Sequence, residues 1–133
     1  MMKGYITEVQ GPVVAVRSPE GRRPFIKDAL TVQSGEQKCV MEVAQHMGGN
    51  VVRCIMLSPS EGLCREMEVI AEGGGIRVPV GDRTLGRLFN VTGDVIDDGD
   101  PLPEGEKWCI HRDPPGFADP SPVAESLDTG IKA

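Results

Sequence analysis

The sequence predicts an all-β protein in which six short strands over residues 1–78 close into a barrel, followed by a loop- and hairpin-rich region over residues 79–133. Two observations favour this fold. The first region is a series of short β segments at regular spacing with turn residues between them, and no amphipathic helix is present to cover a sheet face. Because closure removes unpaired strand edges, a closed barrel is favoured, and an open sandwich is the structural alternative.

The first three predicted strands are separated by turn chemistry. Lys3–Val9 comes first, and Val13–Arg17 follows the Gly11-Pro12 break. The sequence Ser18-Pro-Glu-Gly21 is a turn, with Pro where φ is restricted and Gly where φ is positive. A third strand is predicted over Phe25–Gln33.

The fourth predicted strand, Cys39–His46, alternates strictly between two faces. One face carries Cys39, Met41 and Val43, and the other carries Val40, Glu42 and Ala44. Glu42 is therefore expected to face water or the barrel rim. The tetrapeptide Met47-Gly-Gly-Asn50 is the strongest hairpin signal in the chain, because Gly and Asn accept the positive φ values of tight turns.

Two more strands complete the predicted barrel. Val51–Leu57 is apolar except at Arg53, which predicts a strand with little exposed face. Arg65–Ala71 is the sixth strand, and it ends before the Gly73-Gly-Gly75 break.

The second region opens with a strand over Ile76–Val80, restricted to an edge or a crossing by its proline. A hairpin is then predicted, with Arg87–Val91 and Val95–Asp97 as its arms. The loop Asp97-Asp-Gly-Asp100 lacks the ligand pattern of an EF-hand and is interpreted as solvated.

Charge and proline separate the two regions. The net charge is −6; residues 1–70 carry eight basic and eight acidic residues, whereas residues 71–133 carry six and twelve. Six of the eleven prolines lie after residue 100. Such sequence favours extended connections, so residues 98–133 are expected to be mobile and residues 1–78 to fold as a unit.

Composition excludes several classes of protein. No apolar run approaches the ~20 residues that span a bilayer, and the N-terminus does not resemble a signal peptide, so a soluble protein is expected. The four cysteines form no C-x-x-C pair and the two histidines are far apart, which argues against a zinc site. Cys39 and Cys54 are interpreted as buried, reduced thiols, with a disulfide between them as the alternative.

One segment imitates a phosphate-binding loop. Gly81-Asp-Arg-Thr-Leu-Gly86 has the glycine spacing of a Walker motif, but Arg87 and Leu88 stand where Lys and Ser or Thr are required. The segment is therefore interpreted as a glycine-punctuated turn.

Eight segments in order carry a resemblance to a known family: Gly11–Arg17, Glu42–Gly48, Val51–Ile55, Glu61–Arg65, Val78–Gly81, Leu85–Arg87, Trp108–Arg112 and Thr129–Lys132. Together they resemble the β subunit of F-type ATP synthases over nearly the whole chain. The pieces Val78–Gly81 and Leu85–Arg87 are shared with α subunits and with related rotary, flagellar and secretion ATPases. The tract from Glu42 to Arg65 is what resembles β.

The resemblance implies an N-terminal six-stranded barrel at residues 1–78 and, at residues 79–133, the beginning of a nucleotide-binding domain. The family's Walker loop and catalytic residues would lie beyond Ala133. No catalytic, cofactor-binding or metal-binding residue is therefore assigned to this chain, and Mg-ATP or Mg-ADP is expected only in the complete subunit. Two departures from the family pattern are Ala15, where an acidic residue is common, and the basic turn Gly21-Arg-Arg23.

The function implied by the resemblance is assembly. In the family the barrels of α and β subunits alternate in a ring that holds the catalytic hexamer of a proton-translocating ATP synthase together. The expected partners are α subunits and the rest of F1, on the cytoplasmic face of a bacterial inner membrane, without membrane insertion and without nucleic acid. An oligonucleotide-binding barrel is the alternative, but the chain has one Trp, one Tyr and three Phe and no basic excess. An independent small enzyme is a further alternative, although no nucleophile and base arrangement is evident.

Overall fold

A computed structural model describes residues 2–35, 37–116 and 126. Its regular elements are, in chain order, β1 (Met2–Gln10), β2 (Val13–Arg17), β3 (Ala29–Ser34), β4 (Gln37–Gly48), β5 (Val51–Met56), β6 (Glu68–Ala71), β7 (Arg77–Pro79), a 3-10 helix (Asp82–Thr84) and β8 (Lys107–Cys109).

The first six strands form a closed barrel in the order β1-β2-β5-β4-β3-β6, and all six strand pairs are antiparallel. Alternate residues of each strand point inward and form one apolar core: Ile6, Val14, Val16, Leu30, Val32, Cys39, Met41, Val43, Val52, Cys54, Met56, Val69 and Ala71. The predicted all-β fold with a closed six-stranded barrel is confirmed.

The β4–β5 hairpin follows the sequence prediction closely. Cys39, Met41 and Val43 are buried, whereas Glu42 remains partly exposed. Gly49 and Asn50 take φ values of 57° and 62° at the turn.

The fifth strand differs from the expectation that it has little exposed face. Its residues alternate, so that Val52, Cys54 and Met56 are buried while Arg53 and Ile55 face outward. The sequence over Val51–Leu57 does not show this alternation, because the outward-facing Ile55, which is 47% exposed, is itself hydrophobic.

Two strands begin later than predicted. β3 starts at Ala29 and not at Phe25, because Lys27 has a φ of 72°, which an extended strand cannot contain. β6 starts at Glu68 and not at Arg65, because Glu66 has a φ of 66° and donates its amide to the Ile6 carbonyl at 2.8 Å.

In the second region β7 pairs with β8, a strand that the sequence did not predict. The predicted hairpin is reduced to a single bridge between Phe89 and Val95. Two backbone bonds join the arms there, from the Asn90 amide to the Asp94 carbonyl and from the Ile96 amide to the Leu88 carbonyl. The Asn90 Oδ1 also accepts hydrogen bonds from the amides of Thr92 and Asp94. β8 lies within residues 98–133, whose expected mobility stays a prediction, and residues 117–125 and 127–133 lie outside the described residues.

The described residues contain no helix long and apolar enough to cross a membrane. All four cysteines are free, and Cys39 and Cys54 are buried in the barrel, so the alternative of a disulfide between them is not adopted. Burial raises the pKa of the Cys54 thiol to about 12, because the core disfavours the thiolate.

Candidate assembly surface

A tight turn connects the β2–β3 loop to the start of β3. The Asp28 Oδ2 accepts a hydrogen bond from the Phe25 amide at 2.8 Å, and the Asp28 amide donates to the Phe25 carbonyl at 3.1 Å. The Lys27 amide donates to the Val43 carbonyl at 2.8 Å, and the Val43 amide donates to the Asp28 carbonyl at 2.9 Å. These four bonds fix the turn in shape and attach it to β4.

The turn exposes two apolar side chains to solvent. Phe25 is 77% exposed and Ile26 is 54% exposed, whereas Asp28 is buried. On the other side of the turn, a ring nitrogen of His46, Nε2, lies 2.8 Å from the Pro24 carbonyl oxygen. The backbone of the turn is thus held on both sides while its apolar tip is free.

Positive charge surrounds the exposed tip. Arg22 and Arg23 precede it, Lys27 follows it, and all three residues are exposed. The two arginines and Phe25 also line an adjacent cleft of about 350 Å³, together with Met2, Ala71, Glu72 and neighbouring residues. This segment is the basic turn in which the sequence departs from the family pattern.

A second feature joins the β7–β8 region to the barrel. The His111 Nε2 lies 2.7 Å from the Glu42 Oε2, with side chains 33% and 25% exposed. The ideal Cβ position of Gly75 lies 3.0 Å from the Cys109 sulfur and 3.1 Å from the Lys27 carbonyl oxygen, so only glycine fits without displacement. Glu42 is thus partly exposed to water, as predicted, and also contacts His111.

An ion pair organises the loop after the Phe89–Val95 bridge. Arg87 donates from Nε and Nη2 to the two carboxylate oxygens of Asp97 at 2.6 and 2.9 Å. Asp97 also accepts from the amides of Leu88 and Gly99. The Arg87 hydrogen bonds, followed by that of the Leu88 amide, hold the pKa of Asp97 well below its usual range. Asp98, Gly99 and Asp100 are exposed, as the interpretation of a solvated loop expects, whereas the Asp97 side chain is 21% exposed and is held by Arg87 and two backbone amides.

The glycine-flanked segment Gly81–Gly86 forms a short helical turn. Residues 82–84 form the 3-10 helix, in which the Thr84 amide donates to the Gly81 carbonyl and the Leu85 amide donates to the Asp82 carbonyl. A phosphate cradle needs such amides free, and Arg87 is bound to Asp97. The segment therefore forms the glycine-punctuated turn that the sequence predicts.

Metal-binding clusters are also missing from residues 2–35, 37–116 and 126: no group of three or more His, Cys, Asp or Glu could hold an ion. Sequence reasoning did not identify the exposed Phe25 turn or the Glu42–His111 pair. For the turn a signal existed, because Asp28 stands three residues after Phe25 and can accept its amide proton. For the pair none existed, since the two residues are 69 positions apart.

Comparison with protein-family models shows what the barrel is similar to. The model described as the ATP synthase alpha/beta family, beta-barrel domain, matches residues 6–73. The matched range runs from within β1 to just beyond the end of β6, so it coincides with the closed barrel. The chain belongs to the ATP synthase alpha/beta family, whose beta-barrel domain it contains.

Proposed function

We propose that the chain is the N-terminal part of a β subunit of an F-type ATP synthase, and that its barrel helps to assemble the α/β hexamer of a proton-translocating enzyme. The observation that carries the proposal is the coincidence of the closed barrel with the family match at residues 6–73. The resemblance of the tract Glu42–Arg65 to β subunits supports β over α.

The architecture suits an assembly role. In the closed barrel every strand has hydrogen-bonded neighbours on both sides, so it deforms less than a hinged pair of domains. A hexamer whose catalytic domains open and close in turn needs such a rigid collar. Alternation of α and β gives each barrel two different neighbours, which is a heterologous arrangement.

The proposal assigns no chemistry to these 133 residues. Binding and turnover of Mg-ATP are proposed for the assembled synthase, and none of the described residues is given a catalytic role. The proposed location is the cytoplasmic face of a bacterial inner membrane, with attachment through the other subunits.

Size-exclusion chromatography with purified α subunit tests the proposal. At tens of micromolar the chain is expected to co-elute with α from a bacterial F-type synthase, and to elute as a monomer without it. Parallel mixtures of the chain with a flagellar or a secretion ATPase subunit test the alternative that it is the N-terminal part of one of those related ATPases. Preferential co-elution with one of these, or a tight homodimer that ignores α, would contradict the assignment.

A further inference from the structure

The Pro24–Lys27 turn, with Arg22 and Arg23 before it, stands out from the rest of the described surface; we refer to these residues as the basic knob. Phe25, at 77% exposed, is the most exposed large apolar side chain in the described ranges. Isolated exposed apolar residues are common on proteins, so exposure alone assigns no role. The other properties of the basic knob distinguish it.

Rigidity is the first of these properties. The turn is anchored by the Asp28 carboxylate, by two backbone bonds to Val43, and by the contact of His46 with the Pro24 carbonyl. The start of the same loop is anchored as well, because the Ser18 amide and hydroxyl both donate to the Asn50 carbonyl at 2.8 and 2.9 Å. A preorganised turn loses little conformational entropy on binding, so more of its contact energy contributes to affinity.

Charge is the second property. Residues 22–28 carry three exposed cations, and their single carboxylate, Asp28, is buried and accepts the Phe25 amide. Glu72 lines the neighbouring cleft, beside the two arginines. An aromatic anchor surrounded by arginine has the composition of an interface hot spot, and its charge selects a partner surface that bears carboxylates.

We infer that the basic knob is the surface through which this barrel contacts the barrel of a neighbouring α subunit, and that the neighbour presents an apolar socket edged by Asp or Glu. This inference rests on the proposed function. A second copy of the chain is the poorer occupant, because two cationic knobs facing each other across a two-fold axis repel. A partner with a different surface suits the heterologous contact of an alternating ring.

The test measures the dissociation constant of the full 133-residue chain for purified α subunit by isothermal titration calorimetry. Phe25→Ala is expected to raise it at least about tenfold, the effect of losing a hot-spot residue. The matched control is Ile55→Ala, since Ile55 is an exposed apolar residue on β5 outside the turn; it should change the constant less than about twofold. Arg23→Glu should weaken binding and reduce its dependence on salt.

The outcomes separate the two proposals. If the wild-type chain binds α and Phe25→Ala binds equally well, the basic knob is not the contact surface and only the present inference fails. If the wild-type chain does not bind α at all, the proposed function fails and the inference fails with it. Thermal unfolding of each variant checks that the barrel is intact. Because Phe25 is exposed, Phe25→Ala is expected to leave the unfolding temperature unchanged. A homodimer that Phe25→Ala dissociates and α does not compete with would also overturn the assignment.

Discussion

Asp97 shows how one side chain can organise a loop that the sequence presents as merely acidic. Its carboxylate receives two bonds from Arg87 and one each from the amides of Leu88 and Gly99. Because these bonds favour the ionised form, its pKa is lowered in the folded chain. The stabilisation is present above the ordinary carboxyl pKa of about 3.9 and is lost as the pH falls through the lowered value.

The Asp97 carboxylate should therefore stay ionised, and the loop around it should keep its hydrogen bonds, to a lower pH than an ordinary aspartate allows. In a pH titration followed by ¹⁵N NMR, the Leu88 amide resonance is expected to stay constant through pH 4 and to move only at lower pH. Asp97→Asn should shift that resonance at neutral pH, whereas Asp98→Asn, at an exposed neighbour, should not. A Leu88 resonance that titrates at the ordinary aspartate pKa would contradict this account of the ion pair.

Among the elements, β1 lies close against β2 at a glycine. An ideal Cβ on Gly4 would lie 2.8 Å from the Arg17 carbonyl oxygen and 3.1 Å from the Val16 Cγ1. The nearer atom belongs to the backbone of β2, so a side chain forces the strands apart.

Gly4→Ala is accordingly expected to destabilise the barrel by about 1–3 kcal/mol, the usual cost of overpacking a core. Urea denaturation followed by circular dichroism measures the change. Lys38→Ala, at an exposed position of β4, is the control and should stay within about 0.5 kcal/mol of the wild type. An unchanged midpoint for Gly4→Ala would show that the strands can separate there without cost.

The barrel strands were predictable where the sequence alternates and where turn residues stand at the ends. The strict alternation over Cys39–Val43 and the Gly49-Asn50 turn determine β4 and its connection to β5 by local physics. The predicted strand does not form at Phe25–Asp28, although Phe and Ile favour strands. The Asp28 carboxylate accepts a hydrogen bond from the Phe25 amide and holds the segment in a turn.

Long-range pairings account for the remaining failures. β8 exists because Arg77 and Cys109 are partners across 31 intervening residues, and no local pattern in Lys107–Cys109 shows this. The Glu42–His111 contact is of the same kind. The candidate assembly surface combines both kinds of contact: the Asp28 bond that forms the turn is local, whereas the bonds to Val43 that attach it to β4 are far from the turn in sequence.

In the molecule as a whole, the His111–Glu42 contact is a side-chain link between the β7–β8 pair and the barrel. Its atoms are 2.7 Å apart and both side chains are partly shielded from water. The nearby Ile110 amide, which donates to the Ile76 carbonyl at 3.0 Å, reports on this joint.

His111→Ala should accelerate hydrogen exchange at the Ile110 amide by about two- to fivefold, the effect of losing a partly exposed pair. Amides of the barrel core should keep their protection. Glu42→Ala should have the same effect, and the double variant should be no worse than either single one, since both remove one interaction. Additive effects would mean that the two side chains act separately.

The chain as a whole is expected not to bind Mg-ATP usefully, because the Thr84 and Leu85 amides of the Gly81–Gly86 turn donate to backbone carbonyls and Arg87 is held by Asp97. Calorimetry with Mg-ATP measures this directly. A saturable heat with a dissociation constant below roughly 100 μM, which corresponds to about −5.5 kcal/mol, would contradict the expectation.

We expect this barrel to associate with a different barrel, that of α, in an alternating ring. Native mass spectrometry of the chain, alone and mixed with purified α subunit, tests it most directly because it counts the copies in each complex. The account predicts a monomer alone and complexes in which chain and α are present in equal numbers. A dimer of the chain that persists when α is added would contradict it.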